Sequence, residues 1–340
     1  MKQRLFVTLS LAGLAMATFG ATKPKTAIKS LNKTTIQQPT YTEWHDLQVN
    51  AINRFPLHTN FFTYPADDWV SEKDGKIVSK DILHMNKTES KYFLSLDGTW
   101  KFYWVANADQ RPTDFYKEDL DDSNWKTMNV PGNWEMNGFG DPEYVNNGFA
   151  WREHFNEQPP AVPTKDNHVG SYRRIIDIPA NWDGKQVVAH FGSVTSNIYL
   201  YVNGKFAGYA EDSKVAAEFD ITPYLKKGKN LIAFQTFRWC DGSWDEDQDF
   251  WRLSGVARES YLFARDAKLH LEDIRVTPDL VNNYKDGVLN ISTKVKGTGK
   301  LNFILFDKEG KQVATATGLA KNGTANITMN VENPHKWNAE

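Results

Sequence analysis

Short segments that alternate between apolar and polar residues, separated by tight-turn sequences, constrain the fold of this chain most strongly. The alternation begins near Lys91, and Asp97-Gly98 and Asn203-Gly204 are favoured two-residue hairpin turns. We expect a hairpin at each. Further strands are predicted over residues 170–178, 186–191, 197–202, 205–209 and 230–238, with a short helical or turn segment over 218–225. Because almost no helical period is present, the pattern indicates an all-β sandwich.

The pattern divides the chain into two domains. The first domain is predicted over residues 41–264, and its segment 41–64 is expected to form an extended arm lying on the rest. The second, over 265–340, has the turn spacing of an immunoglobulin-like sandwich. Because the chain stops at Glu340, we expect that sandwich to be truncated at its last strand. Its strands are predicted over 269–276, 287–296, 300–306, 311–317 and 323–331.

The first 40 residues indicate export. A basic start is followed by an apolar run and small residues, the pattern of a cleaved signal peptide over residues 1–21. Residues 22–40 are rich in Lys, Thr and Ser, which predicts a disordered linker. The apolar run is too short for a permanent membrane anchor, and no cysteine near it allows a lipid anchor. The mature protein is therefore expected to be secreted or periplasmic.

Composition excludes several functions and favours one. The net charge of −2 gives no reason to expect a nucleic-acid partner or an anionic membrane surface. Aromatic residues make up 13% of the chain, including 12 Trp, a content typical of β structure and of sugar-contacting surfaces. Cys240 is the only cysteine, so no intramolecular disulfide forms. Without a histidine nearby in sequence, Cys240 is predicted to be a semi-buried thiol and not a nucleophile.

An acidic and aromatic stretch lies between Arg238 and Arg258, with three Trp and five acidic residues in 21 positions. It is no calcium loop, because Phe250 stands where such a loop needs Gly and Val256 where it needs Glu. A glycosidase requires two carboxyl groups that flank one bond, and no such pair can be identified from the sequence. For most of the scattered acidic residues we expect solvated loop positions or ion pairs; they are Glu135, Glu143, Glu211, Asp212 and Glu246.

Several blocks, in one order along the chain, resemble the N-terminal domains of the large β-galactosidases of glycoside hydrolase family 2. The longest similar block is RWCDGSWDEDQDFWRLSGV at residues 238–256. The others are NR (53–54), LDGTW (96–100), VPGNW (130–134), PEYVN (142–146), HFGSVTSN (190–197), YVNGK (201–205), GYAEDSK (208–214) and AEFDI (217–221). The resemblance covers about residues 44–340.

The resemblance implies a jelly-roll, galactose-binding-like sandwich, then an immunoglobulin-like sandwich, then a (β/α)₈ barrel. The barrel would carry both catalytic glutamates of a retaining mechanism, but it needs ~250 residues and is absent from this sequence. We therefore expect the chain to be the N-terminal portion of a β-galactosidase that acts on terminal β-D-galactose, and to be inactive alone. The family also implies sodium and magnesium as cofactors, and a partner in the enzyme's own barrel or in other subunits of a homo-oligomer.

Two residues match family positions that contact substrate. Asn146 corresponds to an asparagine whose amide reaches the substrate, and Asp212 to an aspartate that binds galactose and a sodium ion. From the residues alone, the favoured interpretations are a turn-capping Asn for Asn146 and an Asx turn at a hairpin end for Asp212. The sequence departs from the family at Cys240, usually Ser, and at Ala257, often an aromatic residue. The acidic residues beside them are predicted to stiffen the loop through Arg252 and Arg258; they are Glu246, Asp247 and Asp249.

Two other functions remain open at this point. The chain could be a free-standing carbohydrate-binding module without hydrolytic activity, binding galactosides through exposed tryptophans. It could also be purely structural, packing only against a barrel or another subunit. An incomplete second sandwich argues against the free-standing module, because an open edge strand invites aggregation.

Overall fold

The computed structural model describes residues 4–10, 38–65, 68, 70–73, 76–79, 85–146, 156, 158–246 and 249–337, and only the backbone of 4–10, 70–73 and 76–79. The described chain is built from strands and short 3₁₀ helices, as the alternating pattern predicts. Within it, no helix is long and apolar enough to cross a membrane. The strands are β1 (Arg4–Ser10), β2 (Ala51–Ile52), β3 (Val70–Lys73), β4 (Lys76–Ser79), β5 (Phe93–Ser95), β6 (Gly98–Val105), β7 (Lys126–Val130), β8 (Gly132–Asn133), β9 (Glu143–Val145), β10 (Val169–Ile178), β11 (Lys185–Phe191), β12 (Val194–Thr195), β13 (Ile198–Val202), β14 (Lys205–Ala210), β15 (Ala217–Asp220), β16 (Gly228–Phe237), β17 (Phe250–Arg252), β18 (Gly255–Val256), β19 (Ser260–Asp266), β20 (His270–Val281), β21 (Asp286–Lys296), β22 (Gly299–Phe306), β23 (Gln312–Ala320) and β24 (Thr324–Val331). The 3₁₀ helices are Glu43–His45, Lys87–Glu89, Ala108–Gln110, Glu135–Asn137, Ala180–Trp182, Thr222–Tyr224 and Asp241–Trp244.

Contacts divide the chain into two compact units. The first contains residues 37–57 and 92–265, and the second contains 58–91 and 266–340 together with β1. The segment 58–91 therefore groups with the second unit, whereas the sequence pattern assigned it to the first domain.

The first unit is a β-sandwich with a large aromatic core. Its seven-stranded sheet has the order β2-β14-β13-β16-β10-β6-β7, and its four-stranded sheet the order β15-β11-β19-β5. Aromatic side chains from the two sheets meet: the rings of Phe191 on β11 and Phe234 on β16 lie 5.3 Å apart. Phe234 also stacks on Tyr172 of β10 at 4.3 Å. This packing confirms the predicted sandwich.

The seven-stranded sheet is covered on both faces, which explains why β13 does not alternate. All five residues Ile198–Val202 are buried. On the outer face, Tyr41 stacks on Tyr199 at 5.6 Å, and Trp44 stacks on Phe237 at 5.1 Å. The part of the predicted arm before residue 58 does lie on the sandwich, and its strand β2 extends the sheet by pairing with β14.

The hairpin predicted at Asp97-Gly98 is wrong. Strand β5 belongs to the four-stranded sheet and β6 to the seven-stranded sheet, so the chain crosses between sheets here. The side chain of Asp97 accepts a 2.8 Å hydrogen bond from the Ser260 backbone N–H, and Leu96 is fully buried between the sheets. These tertiary contacts override the local turn preference.

The hairpin predicted at Asn203-Gly204 is confirmed. Strands β13 and β14 pair antiparallel, with Val202 opposite Lys205. Asn203 and Gly204 have φ values of 49° and 75°, the left-handed conformation that this turn requires at both central residues. The next predicted segment is only partly helical: residues 217–220 form β15, and the 3₁₀ helix Thr222–Tyr224 follows.

The second unit is also all-β. Its main sheets have the orders β20-β21-β24 and β1-β22-β23, with β3-β4 as a separate ribbon. The five strands predicted from 269 onwards are present, and residues such as Ile291, Leu301 and Phe303 form the core. Strand β1 lies within the segment predicted as a signal peptide and pairs antiparallel with β22, so that Arg4 is opposite Phe306. The signal peptide stays a prediction, as does the linker, of which residues 22–37 lie outside the described residues.

Candidate functional site

A cavity of about 570 Å³, lined mainly by charged and polar residues, opens on the first unit. Its volume lies within the range of small-molecule sites. Three segments form it: the arm before β2, the loop after β14, and the acidic stretch that follows β16. Six of its lining residues are acidic and three are basic, so the cavity is rich in groups that can bind hydroxyls. The lining residues are Asp46, Leu47, Val49, Asn50, Glu211, Asp212, Ser213, Lys214, Val215, Asp241, Gly242, Asp245, Glu246, Phe250, Arg252 and Arg258.

Asp212 lies on the wall of this cavity. It lies two positions after the end of β14 and adopts a φ of 79°, an uncommon conformation for which Asp is one of the better suited residues. Its Oδ2 accepts a hydrogen bond of 2.6 Å from the Arg54 guanidinium. Arg54 belongs to the arm and forms a β-bridge with Phe219. The carboxylate therefore has a fixed orientation, with a cationic partner on one side and the cavity on the other.

Asn146 is not among the residues that line the cavity. It is exposed and comes one position after β9, whose Val145 pairs with Phe250 of β17. Phe250 does line the cavity, so the β9–β17 ribbon connects Asn146 to its rim. Residues 147–155 lie outside the described residues, and the described chain brings Asn146 and Asp212 into no direct contact.

The prediction that Arg252 and Arg258 hold the carboxylates of the acidic stretch is met in part. Arg252 Nη1 lies 3.8 Å from Glu246 Oε2, and the Ser213 hydroxyl donates to the same carboxylate. Asp249 instead accepts a hydrogen bond from the Tyr144 hydroxyl, and Asp247 lies outside the described residues. Arg258 donates to the backbone carbonyl of Lys214 at 2.6 Å, which fixes the loop that carries Asp212.

The sequence does not predict a buried acidic group in the cavity wall. Glu211 was expected to be solvated or ion-paired, but it is buried, and the Tyr209 hydroxyl donates to its Oε1 at 2.6 Å. Burial raises the pKa of Glu211 to about 8. Asp241 and Cys240 are buried beside it, and burial raises the pKa of both. Cys240 is thus more deeply buried than the semi-buried thiol that the sequence predicts. No sequence signal reveals that these three residues meet.

The remaining acidic residues have structural surroundings. Glu143 accepts a hydrogen bond of 3.0 Å from Arg238, and both side chains are largely buried. Glu135 is buried at the start of a 3₁₀ helix, where its Oε2 accepts from the Ser254 backbone N–H at 2.9 Å. No pair of carboxyl groups flanks the cavity in a way that we can assign to glycoside cleavage within the described residues.

Glu135 provides a test of this burial. Burial raises its pKa, against the hydrogen bond from Ser254. Because the folded pKa lies above the unfolded value, the folded chain holds a proton that the unfolded chain releases, and stability falls as pH rises through that window. Glu135→Gln removes this titration. We compare the free energy of unfolding of the variant with that of the wild type by urea denaturation at both ends of this window. The difference, variant minus wild type, is expected to be larger at about pH 7 than at about pH 4.

The exposed Asp109→Asn variant is the control for that experiment and should follow the wild-type pH dependence. An equal stability difference between Glu135→Gln and wild type at both pH values would contradict the raised pKa.

The cation ligands implied by the family can be compared with these residues. Asp212 offers a hard carboxylate oxygen of the kind that alkali cations bind, but its Oδ2 is already held by Arg54. Sodium therefore fits only if Oδ1 binds it together with ligands from elsewhere. Among the described residues, we assign no group of side chains as magnesium ligands.

The first unit is thus a β-sandwich that carries a cavity lined mainly by charged and polar residues. Models of two protein families match the chain in order. Residues 93–266 match the sugar-binding domain of glycosyl hydrolases family 2, and residues 269–340 match a second domain model of glycosyl hydrolases family 2. The chain belongs to glycoside hydrolase family 2.

Curated relatives agree with this assignment. The chain is 34% identical over 313 residues to a β-galactosidase of Priestia megaterium, covering 88% of this chain and 29% of that protein. It is 36% identical over 299 residues to a β-galactosidase of Halalkalibacterium halodurans, covering 87% and 28%. A β-galactosidase large subunit of Leuconostoc lactis is 32% identical, with 87% and 46% covered. The chain thus spans about three tenths of the length of the first two relatives.

Solved structures share the fold. A β-glucuronidase of Bifidobacterium dentium, complexed with coumarin-3-O-glucuronide, aligns with a TM-score of 0.56 at 17% identity, over 74% of this chain and 43% of that one. A family 2 glycosyl hydrolase of Bacteroides cellulosilyticus aligns with a TM-score of 0.53 at 22% identity, over 72% and 32%. At these identities the likeness concerns the fold alone.

Proposed function

We propose that this chain is the N-terminal portion of a retaining β-galactosidase that removes terminal, non-reducing β-D-galactose. The acid/base and nucleophile would lie outside the two matched domains, in a barrel of ~250 residues. The observation that carries the proposal is the cavity-facing carboxylate of Asp212, held by Arg54, in a chain whose curated relatives include several β-galactosidases. In this proposal the chain forms one wall of the galactose subsite.

Asp212 is suited to this role by its chemistry. An ionised carboxylate only accepts hydrogen bonds, and sugar hydroxyls are donors. The Arg54 guanidinium orients the carboxylate without closing the cavity in front of it. Oδ1 would contact galactose and contribute one ligand to a sodium ion. Asn146 would approach the same subsite from the β9–β17 ribbon, its amide serving as both donor and acceptor.

The proposed setting is extracytoplasmic and multi-subunit. Cleavage of residues 1–21 would release the protein to the periplasm or the medium. The large-subunit names of the Leuconostoc lactis and Lactobacillus helveticus relatives support an assembly of more than one chain, with the enzyme's own barrel or another subunit as the partner.

The 340-residue chain itself provides the test. We expect it to release no p-nitrophenol from p-nitrophenyl β-D-galactoside above the rate without protein, because a wall without the catalytic carboxyl pair cannot cleave the bond. Titration with methyl β-D-galactoside, followed by NMR or calorimetry, should show no saturable binding up to about 1 mM, a limit that corresponds to roughly 4 kcal/mol of binding free energy.

Measurable hydrolysis by the isolated chain would contradict the proposal. Saturable binding well below that limit, lost on replacing exposed tryptophans such as Trp251, would instead favour a free-standing carbohydrate-binding module.

A further inference from the structure

Three acidic side chains from two loops meet at the wall of the cavity, and two of them, Glu211 and Asp241, line it. Glu211 follows β14, and Cys240 and Asp241 follow β16. Their exposed fractions are 6%, 0% and 5%. One potential ligand atom from each lies within 4.8 Å of the other two. Such a group is costly to bury unless something compensates its charge.

The atoms of this cluster converge over Gly242. A Cβ built on Gly242 would lie 2.8 Å from Glu211 Oε2 and 3.5 Å from Cys240 Sγ, so both atoms lie against the same stretch of backbone. Glycine is the residue that permits this approach. The carboxylate of Glu211 and the thiol of Cys240 are thereby brought together although 29 positions separate them in the sequence.

Each carboxylate is oriented through one oxygen by a donor that lies outside the cluster's three side chains. The Tyr209 hydroxyl donates to Glu211 Oε1 at 2.6 Å, and the Gly242 backbone N–H donates to Asp241 Oδ1 at 2.9 Å. Asp241 Oδ2 is buried and has no hydrogen-bond partner among the described residues. Donors that hold one oxygen of a carboxylate, so that the second can bind a metal, are the usual surroundings of metal ligands.

The cluster also lacks a cationic side chain. In the described part of the chain, no Lys or Arg lies within ion-pair distance of Glu211 or Asp241, whereas the neighbouring Asp212 pairs with Arg54. The compensating positive charge must therefore come from bound protons or from a metal ion.

We propose that Glu211, Cys240 and Asp241 bind one divalent cation of borderline softness, with Zn²⁺ as the typical example. A thiolate favours zinc over magnesium or calcium, and carboxylates are accepted zinc ligands. In a tetrahedral site with Zn–S about 2.3 Å and Zn–O about 2.0–2.2 Å, neighbouring ligand atoms lie roughly 3.5 Å apart. The ligand atoms of this cluster lie within 4.8 Å of one another, so they need to approach by no more than about 1.3 Å. The thiol proton leaves to solvent as the metal binds.

This site is separate from the contact of Asp212 with galactose or sodium, and it does not depend on the proposed enzymatic function. It joins the loop after β14 to the 3₁₀ helix Asp241–Trp244. Its role is to fix the position of these two segments of the cavity wall.

The test uses the reduced 340-residue chain, dialysed against Zn²⁺ and then against metal-free buffer. We expect one equivalent of zinc to remain, measured by atomic emission. Replacement of zinc by Co²⁺ should give a thiolate-to-metal charge-transfer band in the near ultraviolet. Because Cys240 is the only cysteine in the chain, such a band can arise from no other residue.

Variants identify the ligands. Cys240→Ser should abolish the band, and Glu211→Gln and Asp241→Asn should each weaken zinc binding by at least about tenfold, the loss that even a supporting residue of a metal site typically causes. Glu246→Gln, in the same cavity but outside the cluster, and Asp212→Asn should retain both zinc and band. Circular dichroism confirms that each variant is folded.

Two results would overturn the proposal. A folded wild-type chain that retains no zinc and shows no band would mean that protons neutralise the cluster. Zinc retained equally by Cys240→Ser and wild type would mean that the metal binds elsewhere.

Discussion

Replacing Trp134 with alanine is expected to lower the free energy of unfolding of the first unit by about 3–5 kcal/mol. Trp134 is fully buried, and its Nε1 donates to the Tyr172 hydroxyl at 2.5 Å. A Cβ built on Gly170 would lie 2.4 Å from the indole, so the glycine provides the space that the ring fills. Truncation leaves a cavity that the surrounding sheets cannot close, and it removes the partner of a buried hydroxyl.

Denaturant titration of the chain, followed by circular dichroism, measures the loss. Met136→Ala is the matched control: it lies two positions further on, is 71% exposed, and should change stability by no more than about 0.5 kcal/mol. Tyr172→Phe, which removes only the hydroxyl, should cost less than Trp134→Ala. If Trp134→Ala and Met136→Ala had equal stability, the described packing around Trp134 would be wrong.

If the protein is the proposed β-galactosidase, replacing Asp212 with asparagine in its full-length form is expected to reduce kcat/KM for β-galactosides by about 10–100-fold. A hydrogen bond to a charged group contributes roughly 1.5–3 kcal/mol, and about 1.4 kcal/mol corresponds to a factor of ten. Asparagine retains the shape of the side chain but cannot balance the Arg54 guanidinium, which lies 2.6 Å from the carboxylate. We also expect the activity to respond less to sodium.

Steady-state kinetics at several sodium concentrations measure both effects. Asp245→Asn removes the same charge from the same cavity, so it separates a specific contact of Asp212 from a general effect of negative potential. Asp245→Asn is expected to have nearly the same kcat/KM and the same sodium dependence as the unmodified protein. Unchanged kinetics in Asp212→Asn, with altered thermal stability, would support a purely structural role for this wall.

The sequence predicts local features of the fold better than contacts between sheets. Asn203-Gly204 forms its hairpin because both flanking strands belong to one sheet. Asp97-Gly98 has the same local preference, but the bond from Ser260 to Asp97 and the burial of Leu96 carry the chain into the second sheet. Such contacts connect positions more than 160 residues apart, and no local pattern encodes them.

The candidate site was predictable only in part, for the same reason. The family resemblance identified Asp212 as a candidate site residue, and the structure places it in the cavity wall. Its ion pair with Arg54 could not be predicted, because Arg54 lies 158 positions earlier in the chain. Glu211 has the sequence surroundings of a solvated loop residue. It is buried because its carboxylate lies against Gly242, Cys240 and Asp241, which are distant in sequence.

The intact mass of the native polypeptide, measured by mass spectrometry alongside its galactosidase activity, tests the central claim most directly. The proposed function predicts an active product at least ~250 residues longer than this chain, enough for the catalytic barrel. An inactive product that ends at Glu340, with or without its first 21 residues, would contradict it and leave a sugar-binding or structural module.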